Sequence, residues 1–164
     1  MIHYYYGDGK GKTSAAAGAC LRAAGNGMKC AFVQFLKNAG SGEAKLLKKY
    51  AADVLNCDGK ADFLYLMSDE EKADLKVIHD TNLRTVLSGG YDLIVLDEFG
   101  DCIDRGMIDM ELVSDMLTAP PCELVITGHK ATECLMSCAD YITEFKCIEH
   151  PYRHGAAARK GIEY

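Results

Sequence analysis

The glycine-rich segment at residues 7–13, with the sequence GDGKGKT, constrains the fold of this chain most strongly. It follows an apolar stretch, residues 2–6, that suits a short strand, and it leads into residues 13–24, which suit a helix. Small residues between a strand and a helix let backbone N–H groups converge on an anion at the positive end of the helix. The segment therefore predicts a phosphate-binding loop. The alternative is a glycine-rich turn without a ligand.

Two side chains of this loop carry the expected chemistry. Lys12 would place a positive charge on the phosphates, and the Thr13 hydroxyl could coordinate Mg²⁺. The general pattern G-x-x-x-x-G-K-[ST] needs a glycine at position 6, where this chain has Tyr6, so a tighter loop is expected. The residues predicted to bind phosphate through this loop are Gly7, Asp8, Gly9, Lys10, Gly11, Lys12 and Thr13.

Strand and helix patterns alternate along the chain, which favours an α/β fold similar to that of P-loop NTPases. We expect one domain over residues 1–164, with a mostly parallel six-stranded sheet and helices on both faces. The start of the longest helix is marked by a capping box, Ser68 to Glu71. The predicted strands are 2–6, 30–36, 62–66, 93–96, 123–127 and 141–145, and the predicted helices are 13–24, 43–52, 69–87, 109–117 and 131–138.

Two acids, Asp97 and Glu98, directly follow the apolar strand 93–96. At the carboxyl end of a parallel sheet they would face the phosphate loop and bind Mg²⁺, directly or through water. The alternative is a strand that ends in solvated acids. His129 and Lys37 follow neighbouring strands at the same edge. Each is a candidate ligand contact, although His129 could be structural and Lys37 could be merely exposed.

Composition excludes several classes of function. A formal net charge of −6 disfavours non-specific binding to nucleic acid. No run of about 18 apolar residues is present, so a membrane partner is not expected. Met1 leads directly into the first predicted strand without a signal peptide, which predicts a cytoplasmic protein. The eight scattered cysteines, without a C-x-x-C pair, are interpreted as free thiols of a reducing compartment.

The residues alone predict an enzyme that uses Mg²⁺ and a nucleotide, with an unidentified acceptor. The base-recognition motif of guanine-specific GTPases, Asn/Thr-Lys-x-Asp, is absent from the sequence. A kinase that acts on a nucleoside or small metabolite remains open at this point.

An ordered set of motifs extends over the whole chain and resembles the ATP:corrinoid adenosyltransferase family. The loop at 7–13 is similar to the shortened phosphate loop of that family, G-[ND]-G-K-G-K-T. The other matching segments are 21–27, 33–37, 42–43, 91–98, 127–128, 139–144, 150–152 and 161–164. Each segment is weakly specific alone, but their order is strongly specific.

The resemblance implies that Co(I) of a reduced corrinoid attacks C5′ of ATP and releases tripolyphosphate. ATP would lie in reverse along the loop, with Lys12 and the loop amides on the triphosphate and Lys10 as a second phosphate contact. Thr13 and Glu98 would bind Mg²⁺, with Asp97 close by. The resemblance also implies a homodimer and a separate flavoprotein as the reductant.

Three features of this chain depart from the pattern of the family that it resembles. An aromatic Phe-Thr-Trp segment that helps to hold the corrinoid is replaced by residues 62–66, where Phe63 or Tyr65 could substitute. An arginine that many members carry after Thr-Gly is replaced by His129. The chain also begins at the first strand, so closure over the site is expected to differ. A non-catalytic relative that binds ATP and corrinoid is therefore the alternative.

Overall fold

The computed structural model of the chain describes residues 1–38, 41–57, 59, 61 and 64–162. Within these residues, six strands form one sheet in the order β3-β2-β4-β5-β1-β6, and every adjacent pair is parallel. The predicted α/β class is confirmed. The strands are β1 Ile2–Tyr6, β2 Cys30–Gln34, β3 Asp53–Leu55, β4 Leu93–Asp97, β5 Glu123–Gly128 and β6 Tyr141–Glu144. The helices are α1 Lys12–Gly25, α2 Gly42–Tyr50, α3 Asp69–Ser88, α4 Phe99–Asp104, α5 Met110–Thr118 and α6 Glu133–Cys138, followed by a 3₁₀ helix at Pro151–His154.

Helices cover both faces of the sheet, as the sequence predicted. On one face, α1 and α2 pack on alternate strand residues such as Phe32 and Val95. On the other face, α3 and the helices that follow it pack on the intervening residues, among them Val33, Ile94 and Leu96. Successive side chains of a strand point to opposite faces, so a central strand buried on both sides must be apolar throughout. This requirement explains the continuous apolar run of β4.

The predicted strand at 62–66 is wrong. Residues 64–66 form turns, and Asp62 and Phe63 lie outside the described residues. The third strand is β3, which directly follows α2 and pairs with β2 from Ala31 opposite Asp53. β3 has three residues at the edge of the sheet and is only partly buried, so it lacks the apolar run that marks the central strands.

Local sequence signals set the other boundaries well. The capping box at the start of α3 is present. The Ser68 hydroxyl accepts a hydrogen bond from the Glu71 amide, and the Glu71 carboxylate accepts one from the Ser68 amide. α6 begins two residues later than predicted, at Glu133. α4 was not predicted, because its six residues are too few to show a helical period.

The carboxyl ends of the central strands bring distant segments together. Gln34 at the end of β2 lies opposite Asp97 at the end of β4, and Tyr6 at the end of β1 lies opposite Gly128 at the end of β5. The phosphate loop and the acid pair therefore share one edge of the sheet. Within the described part of the chain, no helix is both long and apolar enough to cross a membrane.

Candidate functional site

The loop after β1 presents the N-terminus of α1 without a side-chain cap. Gly7 and Gly11 have φ angles of 118° and 114°, in the region that glycine adopts most readily. Gly11 occupies the N-cap position of α1, no side chain accepts a hydrogen bond there, and the first turn contains no acidic residue. The first amides of a helix need acceptors and carry partial positive charge. This terminus is therefore suited to an anionic ligand.

The segment after β6 supports the back of the loop. The Gly9 amide donates to the Phe145 carbonyl at 2.7 Å, and the Cys147 amide donates to Asp8 Oδ1 at 3.1 Å. A Cβ atom on Gly7 would lie 2.3 Å from the Phe145 oxygen, and a Cβ atom on Gly9 would lie 2.7 Å from the same atom. Only glycine fits at both positions. These contacts hold one side of the loop, and the other side faces the cleft.

Replacing Gly7 with alanine is expected to destabilise the fold more than replacing Gly27 does. Both glycines have positive φ, but a Cβ atom on Gly27 would meet no atom within 4 Å. Gly27→Ala should lower the free energy of unfolding by about 1–2 kcal/mol, the cost of that conformation for an L-residue. Gly7→Ala adds a collision with Phe145. Urea denaturation of both variants measures the difference, and equal losses would show that the loop is not held in this way.

The Lys12 ammonium folds back over the loop. Its Nζ donates to the Gly9 carbonyl at 2.9 Å. Burial lowers the pKa of Lys12, and the nearby acids Asp101 and Glu98 only partly offset that effect. A desolvated ammonium gains from a second anionic partner, because partial burial has already removed much of its water. A bound phosphate beside the loop would provide that partner.

Asp97 is fully buried and accepts three hydrogen bonds at the end of β4. Thr13 Oγ1 and Thr127 Oγ1 donate to its Oδ1 atom at 2.8 and 2.9 Å, and Lys37 Nζ donates to its Oδ2 atom at 2.9 Å. A buried carboxylate needs such partners to remain charged. Asp97 thereby connects the phosphate loop, β5 and the segment after β2.

Glu98 and Lys37 form a second ion pair beside Asp97. Glu98 has a φ of 60°, and its amide donates to Thr127 Oγ1 at 2.8 Å. Its Oε1 atom lies 2.9 Å from Lys37 Nζ. Burial raises the pKa of Glu98 although Lys37 opposes the shift. Burial opposes the charge of Lys37 as well, but the carboxylates of Asp97 and Glu98 outweigh it and raise the pKa of the lysine.

The oxygens of this cluster fit a magnesium ion that is bound mainly through a substrate. Mg²⁺ in nucleotide enzymes is commonly held by one or two carboxylates together with phosphate oxygens and water. Thr13, Asp97 and Glu98 offer one hydroxyl and two carboxylates beside the loop. Among the described residues, no group of three or more His, Cys, Asp and Glu side chains could form a metal cage without a substrate.

His129 is paired with an acid that the sequence analysis did not identify. Its amide and its ring Nδ1 both lie 3.0 Å from Asp101 Oδ2, in α4. The hydrogen bond that the His129 ring donates to Asp101 raises the pKa of His129. Burial opposes ionisation of Asp101, but its bonds to His129 outweigh burial and lower the pKa of the acid. The pairing with Asp101 therefore favours the positive form of His129.

The His129–Asp101 pair predicts a pH-dependent contribution to stability. A raised histidine pKa stabilises the fold below the unfolded value of about 6.5, and this contribution disappears as the pH rises through the folded pKa. His129→Ala should therefore lower the free energy of unfolding more at pH 5.5 than at pH 8.5. The difference should be under about 1 kcal/mol, because half of the histidine side chain is exposed to solvent. Urea denaturation at both pH values tests this, and equal costs would contradict it.

A cleft of about 890 Å³ collects most of these groups in one place. Eight of its lining residues are predicted site residues: Gly9, Lys10, Gly11, Lys12 and Thr13 of the loop, together with Lys37, Glu98 and His129. The buried Asp97 does not line it. The lining residues that sequence reasoning missed are Ser14, Asn38, Ser41, Gly42, Glu43, Leu46, Thr127, Gly128, Gly161 and Ile162. Of these, Gly42, Glu43, Thr127, Gly128, Gly161 and Ile162 had signals, since 42–43, 127–128 and 161–164 are among the motif segments.

Neither of the two aromatic residues proposed for corrinoid contact is found in the described part of the cleft. Tyr65 is in a turn, has 80% of its surface exposed and does not line the cleft. Phe63 lies outside the described residues. The described part of the cleft thus contains the predicted phosphate and metal groups, and Leu46 and Ile162 are the large apolar side chains that line it.

Comparisons with known proteins agree over the whole chain. A sequence model of the family described as ATP:corrinoid adenosyltransferase BtuR/CobO/CobP matches residues 1–164. The corrinoid adenosyltransferase of Pseudomonas aeruginosa is 31% identical, over 100% of this chain and 83% of the relative. A relative with the same name from a Sinorhizobium species is 30% identical, over 96% of this chain and 77% of the relative. The corrinoid adenosyltransferase of Escherichia coli K12 is 27% identical, over 100% of this chain and 85% of the relative.

Proposed function

Because this chain belongs to the ATP:corrinoid adenosyltransferase family, we propose that its cleft binds ATP with the triphosphate on the loop at residues 7–13. The chain is a corrinoid adenosyltransferase, which transfers the 5′-deoxyadenosyl group of ATP to a corrinoid. In the proposed reaction the acceptor is Co(I), and tripolyphosphate leaves as one molecule.

One observation carries the proposal: the uncapped N-terminus of α1, Lys12 and Glu98 meet at one cleft, and the buried Asp97 lies directly behind Thr13. The helix terminus and the lysine supply positive charge for phosphate oxygens. The acids supply the oxygens for the metal ion that accompanies a triphosphate. A site for a whole triphosphate suits a reaction in which the triphosphate is the leaving group.

The proposed chemistry needs no protein base. An electron pair on Co(I) forms the cobalt–carbon bond with C5′, the C5′–O5′ bond breaks, and its electrons remain on the triphosphate. No proton is removed from either substrate in this step. The protein instead stabilises the negative charge that develops on the leaving group. It also positions C5′ over cobalt and excludes water from the reduced metal.

Each residue of the cluster has a proposed part. Lys12 and the loop amides bind the triphosphate, Lys10 adds a second contact, and Thr13 and Glu98 hold Mg²⁺ with Asp97 behind them. The ion would neutralise part of the phosphate charge when it is bound. His129 lines the cleft, where its raised pKa favours contact with an anion.

The proposal extends to partners and location. Co(I) must be generated by a separate electron donor, for which we propose a flavoprotein. We also propose a homodimer and a cytoplasmic location. A reducing compartment suits both Co(I) and the eight cysteines, which are in no disulfide.

Identification of the phosphate product tests the proposal against a kinase. The protein is incubated anaerobically with Mg-ATP and chemically reduced cobalamin, and the phosphates are separated by ion-exchange chromatography. We expect tripolyphosphate in proportion to the corrinoid consumed. ADP together with a phosphorylated acceptor would instead support a small-molecule kinase. Binding of both substrates with no product would indicate a non-catalytic relative.

A further inference from the structure

The Lys37 ammonium lies between the two carboxylates assigned to the metal site. Its Nζ atom is 2.9 Å from Asp97 Oδ2 and 2.9 Å from Glu98 Oε1. We propose that Lys37 is an internal counter-ion of this site, which keeps a free divalent cation from binding until a triphosphate enters. The inference rests on the proposed function, because it takes the acid pair to be the metal site of an ATP-dependent enzyme.

The position of this lysine is built into the fold. The preceding residue, Leu36, has a φ of 55°, which is costly for a residue other than glycine. Its amide donates to Nε2 of His79, a fully buried side chain of α3, at 3.2 Å. The other ring nitrogen, Nδ1, lies 2.9 Å from the Met107 carbonyl. α3 therefore stabilises the strained turn that directs Lys37 toward the acids.

Burial makes the counter-ion difficult to displace. Asp97 has no exposed surface, and the side chains of Glu98 and Lys37 are 24% and 30% exposed. A divalent cation that arrives alone must remove the ammonium from both carboxylates, and the ammonium then has no comparable partner. Separating a partly buried ion pair in this way is strongly unfavourable. The same cation binds Asp97 and Glu98 readily only if Lys37 gains another anion.

A triphosphate provides that anion. Lys37 and Lys12 line the same cleft as the loop at residues 7–13, so phosphate oxygens can approach both ammonium groups. The lysine would then exchange carboxylate partners for phosphate, and the freed carboxylate oxygens would bind the metal ion that the triphosphate brings. The metal ion offsets part of the negative charge that the triphosphate brings to the site. Metal and nucleotide are therefore expected to bind together.

Binding of Mn²⁺ in the absence of nucleotide tests the proposal directly. Electron paramagnetic resonance measures free Mn²⁺ during titration of the wild-type protein, Lys37→Met and the matched control Lys48→Met, which replaces an exposed lysine of α2. Removing the competing charge should tighten Mn²⁺ binding by about tenfold or more in Lys37→Met. The control should match the wild type. Adding Glu98→Gln to Lys37→Met should abolish the gain.

Two results would overturn the inference: equal Mn²⁺ affinity in the wild type and Lys37→Met, or a gain that persists after Glu98→Gln. Lys37→Gln serves the same comparison if the methionine variant does not fold. The wild type is assayed in parallel for adenosyl transfer with Mg-ATP. If the wild type catalyses adenosyl transfer but Lys37→Met binds Mn²⁺ no more tightly than the wild type, the counter-ion role is refuted and the proposed function stands.

Discussion

Replacing Lys12 with alanine should lower kcat for adenosyl transfer by roughly 10²–10³-fold, the usual cost of losing one charge-stabilising donor. In the proposed reaction the negative charge grows on the departing triphosphate. The Lys12 ammonium lies on the loop, 2.9 Å from the Gly9 carbonyl and partly desolvated, so it meets that charge with little reorganisation. Steady-state kinetics with Mg-ATP and reduced cobalamin measure the effect.

The matched control is Lys48→Ala, which removes an exposed lysine of α2 and should leave kcat unchanged. Lys12 Nζ donates one hydrogen bond to the Gly9 carbonyl, so its loss should change the free energy of unfolding by about 1 kcal/mol or less. A Lys12→Ala variant with a kcat near that of the wild type would refute the part assigned to this lysine.

Asp97→Ala should lower the free energy of unfolding by about 3–5 kcal/mol, the cost of removing one partner of a buried ion pair. The substitution removes the acceptor for Thr13 Oγ1 and Thr127 Oγ1 and one of the two carboxylates that hold Lys37. Urea denaturation without nucleotide or metal measures the loss, so that ligand binding does not contribute.

Two comparisons make this prediction specific. Asp115→Ala, at an exposed position of α5, should cost less than about 0.5 kcal/mol. Thr127→Val removes one hydrogen bond to Asp97 and the acceptor of the Glu98 amide but keeps the ion pair, so it should cost about 2 kcal/mol. A loss below 1 kcal/mol for Asp97→Ala would mean that the carboxylate is not the centre of the network described above.

The parts of the fold that could be predicted from sequence are those with strong local signals. The apolar run before Asp97 and the glycine-rich loop before Thr13 identified the two strands that carry the site. Parallel strands have their carboxyl ends at one edge, so the loop and the acids were expected to meet there. The structure places them around one cleft, and Thr13 Oγ1 lies 2.8 Å from Asp97 Oδ1.

Features set by tertiary contacts could not be predicted. β3 is short, partly buried and at the sheet edge, and its pairing with β2 depends on the preceding α2. The position of Lys37 depends on a positive φ at Leu36 and on the hydrogen bond from the Leu36 amide to His79, which lies 43 residues after Leu36 in the chain. Asp101 was missed because it lies in α4, a helix too short to show a period, yet it orients His129 and raises its pKa.

The most direct test of the central claim follows both halves of ATP in one anaerobic reaction. Protein, Mg-ATP and cobalamin reduced to Co(I) are mixed, the visible spectrum reports the cobalt–carbon bond, and chromatography measures tripolyphosphate. We predict one molecule of tripolyphosphate for each adenosylated corrinoid formed, with Lys12→Ala strongly slowed in both products. Release of ADP or orthophosphate during turnover, without the spectrum of a cobalt–carbon bond, would contradict the claim that the loop at residues 7–13 holds a triphosphate that leaves whole.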